Sequence, residues 1–177
     1  MAALDAIHRQ LAACDERLAE LLPQTPAGIL LTVPGIGVVT ASYYGAALGD
    51  PHRFRNADAA YRYSGLAPTS YESAGRRATG VHISKIGSVE LRQAMLALGT
   101  GLVLHHPDFA AYKQRQLDAG KKPIVAAIAV AHRAHRLAFA LMRSQKPYSA
   151  TQWATSVADT RQAGRPVMAT TEATSTT

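Results

Sequence analysis

The chain has 177 residues, 47% of them hydrophobic, which suits one globular domain with short appendages. Its net charge of +7 favours a polyanionic partner. The single cysteine, Cys14, excludes an internal disulfide, and neither a leader peptide nor an apolar run long enough to span a bilayer is evident. These features predict a cytoplasmic protein without a membrane partner.

The N-terminal segment has the pattern of a helix with one apolar stripe. Apolar residues recur at alternating spacings of three and four, at Leu4, Ile7, Leu11, Cys14, Leu18 and Leu21. This spacing predicts a coiled-coil seam over residues 1–22, ended by Pro23. The same stripe would suit a helix that docks on its own domain, but we favour pairing between helices and therefore a homo-oligomer.

A glycine turn follows in the stretch "LLTVPGIGVVTASYYGAAL". Pro34 tends to end a helix, and Gly35 and Gly37 allow a tight turn before a second helix that begins near Val38. The pattern resembles a helix-hairpin-helix element, in which unpaired amides at a helix N-terminus bind phosphate. We predict that Gly35, Gly37 and Thr40 contact nucleic acid. The alternative is a tight turn between two packed helices.

The middle of the chain changes character after a short helix that Asn56 should cap. Residues 69–84 are mostly small, polar or glycine, which predicts an irregular surface loop or a weak hairpin. Ser70 and Ser73 lie near three cationic residues, Arg76, Arg77 and Lys85. A serine can attack a phosphodiester where cations stabilise the developing charge. From composition alone, however, the serines are better interpreted as turn residues.

The rest of the chain predicts further helices and then a tail. Ser88 should cap one helix, and an alanine-rich helix near 123–144 is apolar enough to lie at the centre of a bundle. Residues 149–177 are rich in Thr, Ser and Ala and are predicted to be disordered. The histidines lack partners at the spacing of metal ligands, and the acidic residues are scattered, so we predict no metal site. The predicted fold class is all-α, a helical bundle.

Three stretches in this order resemble one family: "LLTVPGIGVVTA", "GDPHRFRNADAAYRYSGLAPTSYESAGRRATGVHISKIGSVELRQAML" and "AAYKQRQLDAGKKPIVAAIAVAHRAHRLAFALMR". They are similar to the C-terminal domain of insertion-sequence transposases of the IS110 type, also called IS116. The resemblance implies a division into a coiled-coil stub (1–22), a C-terminal transposase domain (23–148) and a tail (149–177). It also implies that the chain serves DNA transposition.

The resemblance implies a catalytic serine as well. The family's nucleophile stands in a Pro-x-x-x-x-Ser-Gly context, which Pro68 and Ser73 match. Ala74 replaces the usual glycine, so Ser70 stays a weaker rival. Arg76, Arg77 and Lys85 are then the predicted phosphate contacts, and the glycine turn is expected to lie next to the serine loop.

The resemblance further implies partners that the sequence does not itself contain. The complete family enzyme has an RNase H-like domain with four acidic residues that use Mg²⁺, and a structured guide RNA pairs with its DNA. This chain has no such acidic set, so we expect a truncated transposase that begins at an internal methionine, holds no cofactor and is inactive alone. The alternatives are a non-catalytic DNA- or RNA-binding remnant of a transposase and a purely structural helical adaptor.

Overall fold

The computed structural model describes residues 1–69, 72–73, 76–77 and 82–151, with the backbone alone described at 2, 69, 72–73, 76–77 and 82. Six α-helices carry the fold in this part of the chain: α1 (Ala2–Leu21), α2 (Val38–Leu48), α3 (Ala57–Tyr63), α4 (Val89–His105), α5 (Pro107–Asp118) and α6 (Pro123–Ser144). Short 3-10 helices span Leu22–Gln24, Pro26–Thr32 and Pro51–Arg53. The prediction of an all-α fold is confirmed.

Local signals in the sequence fix where several helices begin. The Asn56 side chain accepts a hydrogen bond from the amide of Ala59 at 2.9 Å, and the Ser88 hydroxyl accepts one from Leu91 at 3.0 Å. Both predicted caps are therefore present, since each satisfies an amide that the helix leaves unpaired. Pro107 and Pro123 occupy the first turns of α5 and α6, where a missing amide costs nothing.

The core forms where α4 and α6 pack together, and the other helices surround this pair. Gly99 allows the close approach, because a methyl group there would lie 3.0 Å from the Cα of Ala131. Leu91, Leu98 and Leu102 of α4 are fully buried in the cluster. Burying such side chains is the main favourable term in folding.

Helix α6 corrects one expectation about membranes. Pro123–Ser144 is apolar and long enough, by length and composition, to cross a membrane, although the sequence suggested no such run. Half of its most apolar 18-residue stretch is buried inside the protein, where α6 packs against α4, and the whole helix carries three arginines. The apolar surface of α6 is therefore explained by its place as the central helix of the bundle, as its apolar pattern predicted.

A polar network crosses this core and joins α2, α3 and α6. The hydroxyl of Tyr44 and Nδ1 of His135 are 2.7 Å apart, and Nε2 of His135 lies 2.8 Å from the carbonyl oxygen of Ala57. The carbonyl can only accept, so Nε2 carries the proton and Nδ1 accepts from the tyrosine. Burial lowers the pKa of His135 to about 4, against the opposing effect of the Ala57 carbonyl. His135 is therefore a fully buried core residue with both ring nitrogens satisfied.

One other expectation changes, and one of two stated alternatives is selected. The segment before the glycine turn, Pro26–Thr32, is a 3-10 helix, so the helix-hairpin-helix likeness lacks a regular first helix. The irregular segment 69–84 contains two-residue strands, β1 (Pro68–Thr69), β2 (Glu72–Ser73), β3 (Arg76–Arg77) and β4 (His82–Ile83). Most of the predicted disordered tail, 149–177, lies outside the described residues.

The buried imidazole predicts a loss of stability in acid. Between pH 6.5 and 4 the unfolded chain binds a proton at His135 that the folded protein does not, so stability falls as the pH falls through this window. Between pH 7.5 and 5 this group should cost about 2 kcal/mol of unfolding free energy. Urea denaturation at both pH values measures it.

The His135→Gln variant is the control for this prediction, because it keeps a polar side chain and removes the titration. It should lose less stability than the wild type over the same pH interval. Equal losses in the two proteins would show that His135 is not the titrating group.

Candidate nucleic-acid interface and serine hairpin

The glycine turn is shaped by Gly35 and not by Gly37. Gly35 has φ +91°, and a methyl group there would lie 2.7 Å from the Cβ of His105 at the end of α4. Only glycine suits that combination of backbone angle and close contact. Gly37 has φ −90° and open space around it, so any residue fits there.

The turn leaves the N-terminus of α2 uncapped and accessible. Gly37 is the N-cap, no side chain of the described residues caps the helix, and the first turn holds no acidic residue. Gly37 and Val39 are exposed, whereas Thr40 is half-buried. The first amides of α2 and the positive end of its dipole are thus available to an anion. Of the three predicted contacts, Gly37 and Thr40 belong to this end, and Gly35 shapes the turn.

The predicted serine lies on a hairpin whose register the backbone defines. The strands β1 and β4 pair antiparallel, Pro68 with Ile83 and Thr69 with His82. Inside them β2 pairs with β3, Glu72 with Arg77 and Ser73 with Arg76. Paired Cα atoms in an antiparallel ladder lie about 4.5–5.5 Å apart, so the backbone of the predicted nucleophile adjoins those of both predicted arginines. The positions of Ser70 and Ala74 lie outside the described residues.

Backbone hydrogen bonds join the two sides of the hairpin root and tie the N-cap of α4 to the end of α3. Ser84 donates to Ala67 at 3.1 Å, Lys85 donates to Gly65 at 3.0 Å, and Ser88 donates to Tyr63 at 2.9 Å. Lys85 is exposed and has φ +56°, which non-glycine residues seldom adopt. The predicted cation therefore sits in a constrained backbone at the hairpin root.

The glycine turn and the root of the hairpin lie at opposite ends of α4. Gly35 contacts His105, the last residue of α4, whereas Ser88 caps the first turn. A helix of 17 residues separates its ends by about 25 Å. The expectation that the turn lies next to the serine loop is therefore wrong for the root of that loop. The spacing corresponds to about seven base pairs of B-form DNA.

Several of the described histidines have partners within the protein. His132 stacks on Tyr61 with ring centroids 4.0 Å apart and lies 3.5 Å from Asp58, while His106 contacts the Tyr148 hydroxyl at 3.0 Å. Burial lowers the pKa of His132, and Asp58 opposes that shift. Within the described residues, no three His, Cys, Asp or Glu side chains group together in a way that could hold a metal ion.

The sequence analysis missed one cluster near the hairpin root. The Arg53 guanidinium lies 4.5 Å from the centre of the Phe54 ring and 5.2 Å from that of Tyr63. The two rings are 5.5 Å apart, and Tyr63 is 45% exposed. The alternation of arginine and aromatic residues in "RFRNADAAYRY" was the available signal.

Comparison with known proteins identifies relatives among mobile elements. The profile of the Transposase IS116/IS110/IS902 family matches residues 27–114. The insertion element IS110 uncharacterized 43.6 kDa protein of Streptomyces coelicolor is 32% identical over 141 residues, which cover 79% of this chain and 35% of that protein. A pilin gene-inverting protein of Moraxella bovis is 28% identical over 146 residues, covering 76% and 44%.

A probable family 20 transposase of Pseudomonas aeruginosa is 28% identical over 150 residues, which cover 78% of this chain and 44% of the relative. The chain thus spans between a third and a half of the length of these curated relatives. The matched region contains the glycine turn, the serine hairpin and α4, and residues 27–114 of this chain belong to the IS116/IS110/IS902 family of transposases.

Proposed function

We propose that the chain acts in DNA transposition as the serine-bearing, nucleic-acid-binding part of a recombinase. The observation that carries the proposal is the hairpin register, which pairs Ser73 with Arg76 beside the Glu72–Arg77 pair. The net charge of +7 and the uncapped N-terminus of α2 support a nucleic-acid partner. The relatives are named for transposition and for gene inversion, and both processes break and rejoin DNA strands.

In the proposed reaction, Oγ of Ser73 attacks the phosphorus of a DNA phosphodiester. The new Oγ–P bond replaces the bond to one deoxyribose oxygen, and the hydroxyl proton ends on that departing oxygen. The product is a phosphoserine ester with one DNA end and a free hydroxyl on the other. Arg76, Arg77 and Lys85 would stabilise the charge that develops on the phosphate oxygens.

The Mg²⁺ that the family implies does not fit the described residues of this chain. Their carboxylates are scattered over several elements, and none of the described residues form a group of three or more metal-ligating side chains. We therefore assign no step to a metal here. The acidic metal-binding residues would come from an RNase H-like partner region, and the chain alone should cut nothing.

The serine assignment predicts a covalent adduct that depends on one hydroxyl. With a partner carrying the acidic residues, Mg²⁺, the element's RNA and donor DNA, the wild type should form a protein–DNA adduct that survives denaturation. Ser73→Ala should abolish the adduct and leave DNA binding unchanged, because only one hydroxyl is lost. Ser70→Ala is the matched control and should retain the adduct.

An adduct that persists in Ser73→Ala, or that disappears in Ser70→Ala alone, would contradict the assignment. A wild type that forms no adduct where a full-length relative does would favour the non-catalytic remnant.

The proposed phosphate contact lies at the N-terminus of α2. Phosphate would accept hydrogen bonds from the first amides of the helix, near Gly37 and Thr40, and would read no base sequence. A guide RNA would then provide sequence specificity by base pairing with the DNA. The protein would contact the backbones of both the RNA and the DNA. Such a protein would work in the cytoplasm, where the DNA lies.

Two variants of nearly equal shape test this contact. Gly37→Asp should cap α2 and place a negative charge where phosphate binds, so duplex binding should fall about tenfold while the melting temperature stays level or rises. Gly37→Asn caps the helix without a charge and should bind at least several-fold more tightly than Gly37→Asp. Equal affinity of wild type and both variants across a salt series would make the turn purely structural.

We also propose that the chain pairs through α1. Leu4, Ile7 and Leu11 are 52%, 53% and 57% exposed, so the apolar seam is largely uncovered by this chain. At its C-terminal end the seam meets a groove of about 470 Å³, which Leu18, Leu21 and Met142 line together with α2. An apolar stripe on an exposed helix is typical of a helix that packs against another copy.

The pairing predicts a change in mass when the exposed seam is made polar. Ile7→Asn with Leu11→Asn should shift the protein from dimer to monomer in sedimentation, because each change buries an amide without a partner. Arg9→Asn with Glu16→Asn alters the other faces of α1 and should remain dimeric. A monomeric wild type, or no shift in the seam variant, would contradict the proposal.

A further inference from the structure

The cluster of Arg53, Phe54 and Tyr63 lies on the surface beside the root of the serine hairpin. Its guanidinium lies 4.5 Å and 5.2 Å from the two ring centres, and Arg53 and Tyr63 are both exposed. The amide of Ser88 donates to the carbonyl of Tyr63 itself, so the cluster is joined directly to the segment from which the hairpin extends.

A second arginine–aromatic cluster in the same protein has a packing role and serves as a comparison. Arg133 lies 4.7 Å from the ring centre of Tyr112 and 5.8 Å from that of Phe109. Phe109 is fully buried and Tyr112 is half-buried, so that cluster fills space between α5 and α6. The cluster at Tyr63 has the same chemistry but presents nearly half of the tyrosine to solvent.

The surroundings of the exposed cluster are mostly cationic. Arg55 and Arg62 are exposed on the same segment, and Arg143 of α6 donates to the carbonyl of Arg55 at 2.8 Å. Arg136 is also exposed, one turn beyond His132 on α6. Asp50 bonds to His52, and Asp58 lies against His132, so each of these two carboxylates already has a partner. Flat rings within a cationic surface suit a nucleobase with its phosphates.

We propose that Arg53, Phe54 and Tyr63 form a stacking platform for an unpaired nucleotide of single-stranded nucleic acid. The inference rests on the proposed function and deepens it. Paired bases are stacked inside a duplex and are not available to an aromatic side chain, whereas an unpaired base is. A strand held here would lie at the root of the serine hairpin, with its backbone among the surrounding arginines.

Two substitutions at Tyr63 separate stacking from packing. Tyr63→Leu keeps an apolar side chain but loses the flat ring, and it should weaken binding of a single-stranded oligonucleotide about tenfold. Tyr63→Phe keeps the ring and should bind like the wild type. Tyr43→Leu is the matched control, because Tyr43 is another exposed tyrosine, at 38%, on α2. Duplex affinity should change less than twofold in all three.

Binding is measured on the full chain by fluorescence anisotropy, with oligo(dT), oligo(U) and a blunt duplex as separate probes. Comparing the affinities for oligo(dT) and oligo(U) identifies whether the platform prefers single-stranded DNA or RNA. Photocrosslinking with 5-iodouracil in each single strand, followed by peptide mapping, should label Tyr63 or Phe54. Circular dichroism of each variant confirms that it is folded.

Unchanged single-strand affinity in Tyr63→Leu, or crosslinks that map away from residues 53–63, would overturn the platform. If the wild type binds the duplex and Gly37→Asp weakens it, that result leaves the proposed function standing. If the wild type binds none of the three probes, both the platform and the proposed nucleic-acid function fail.

Discussion

The close packing of α4 against α6 is the contact on which the rest of the structure depends. Gly99 faces Ala131 so closely that another methyl group would require the helices to move apart, and buried side chains of both helices form the centre of the core. The Tyr44–His135–Ala57 network then attaches α2 and α3 to the same pair. A buried polar network of this kind requires every member to be satisfied, so it fixes how those helices lie.

This core determines where the chemistry lies. Because α2 runs antiparallel to α4, with Tyr43 bonded to Gln93, the N-terminus of α2 falls beside the C-terminus of α4. The hairpin begins at the other end, where the N-cap of α4 is bonded to the last residue of α3. A rigid helix thus separates a candidate phosphate contact from the segment that bears the serine, and the stacking cluster shares the hairpin's end. Rigid elements hold such groups more accurately than loops do.

The sequence predicted the features that depend on neighbouring residues. Asn56 and Ser88 act within a few residues of themselves, and an apolar helix pattern is visible at α6 without knowing its neighbours. It could not predict the place of His135, because the partner Tyr44 lies 91 residues away. The sequence also could not show that the glycine turn and the root of the serine hairpin lie at opposite ends of α4. Only the antiparallel packing of α2 on α4 reveals this separation. The exposed cluster at Tyr63 did have a local signal, the arginines and aromatic residues between positions 53 and 63, and it was nevertheless missed.

The central claim is that nucleic acid contacts this scaffold at both ends of α4. Hydrogen–deuterium exchange of the full chain, with and without a 20-base-pair duplex carrying a single-stranded overhang, tests it most directly. Exchange should slow at the turn and first turn of α2, residues 35–41, and at the hairpin root, residues 63–69 and 82–88. The middle of α4 should not change. Protection at only one end, or on α5 alone, would contradict this account.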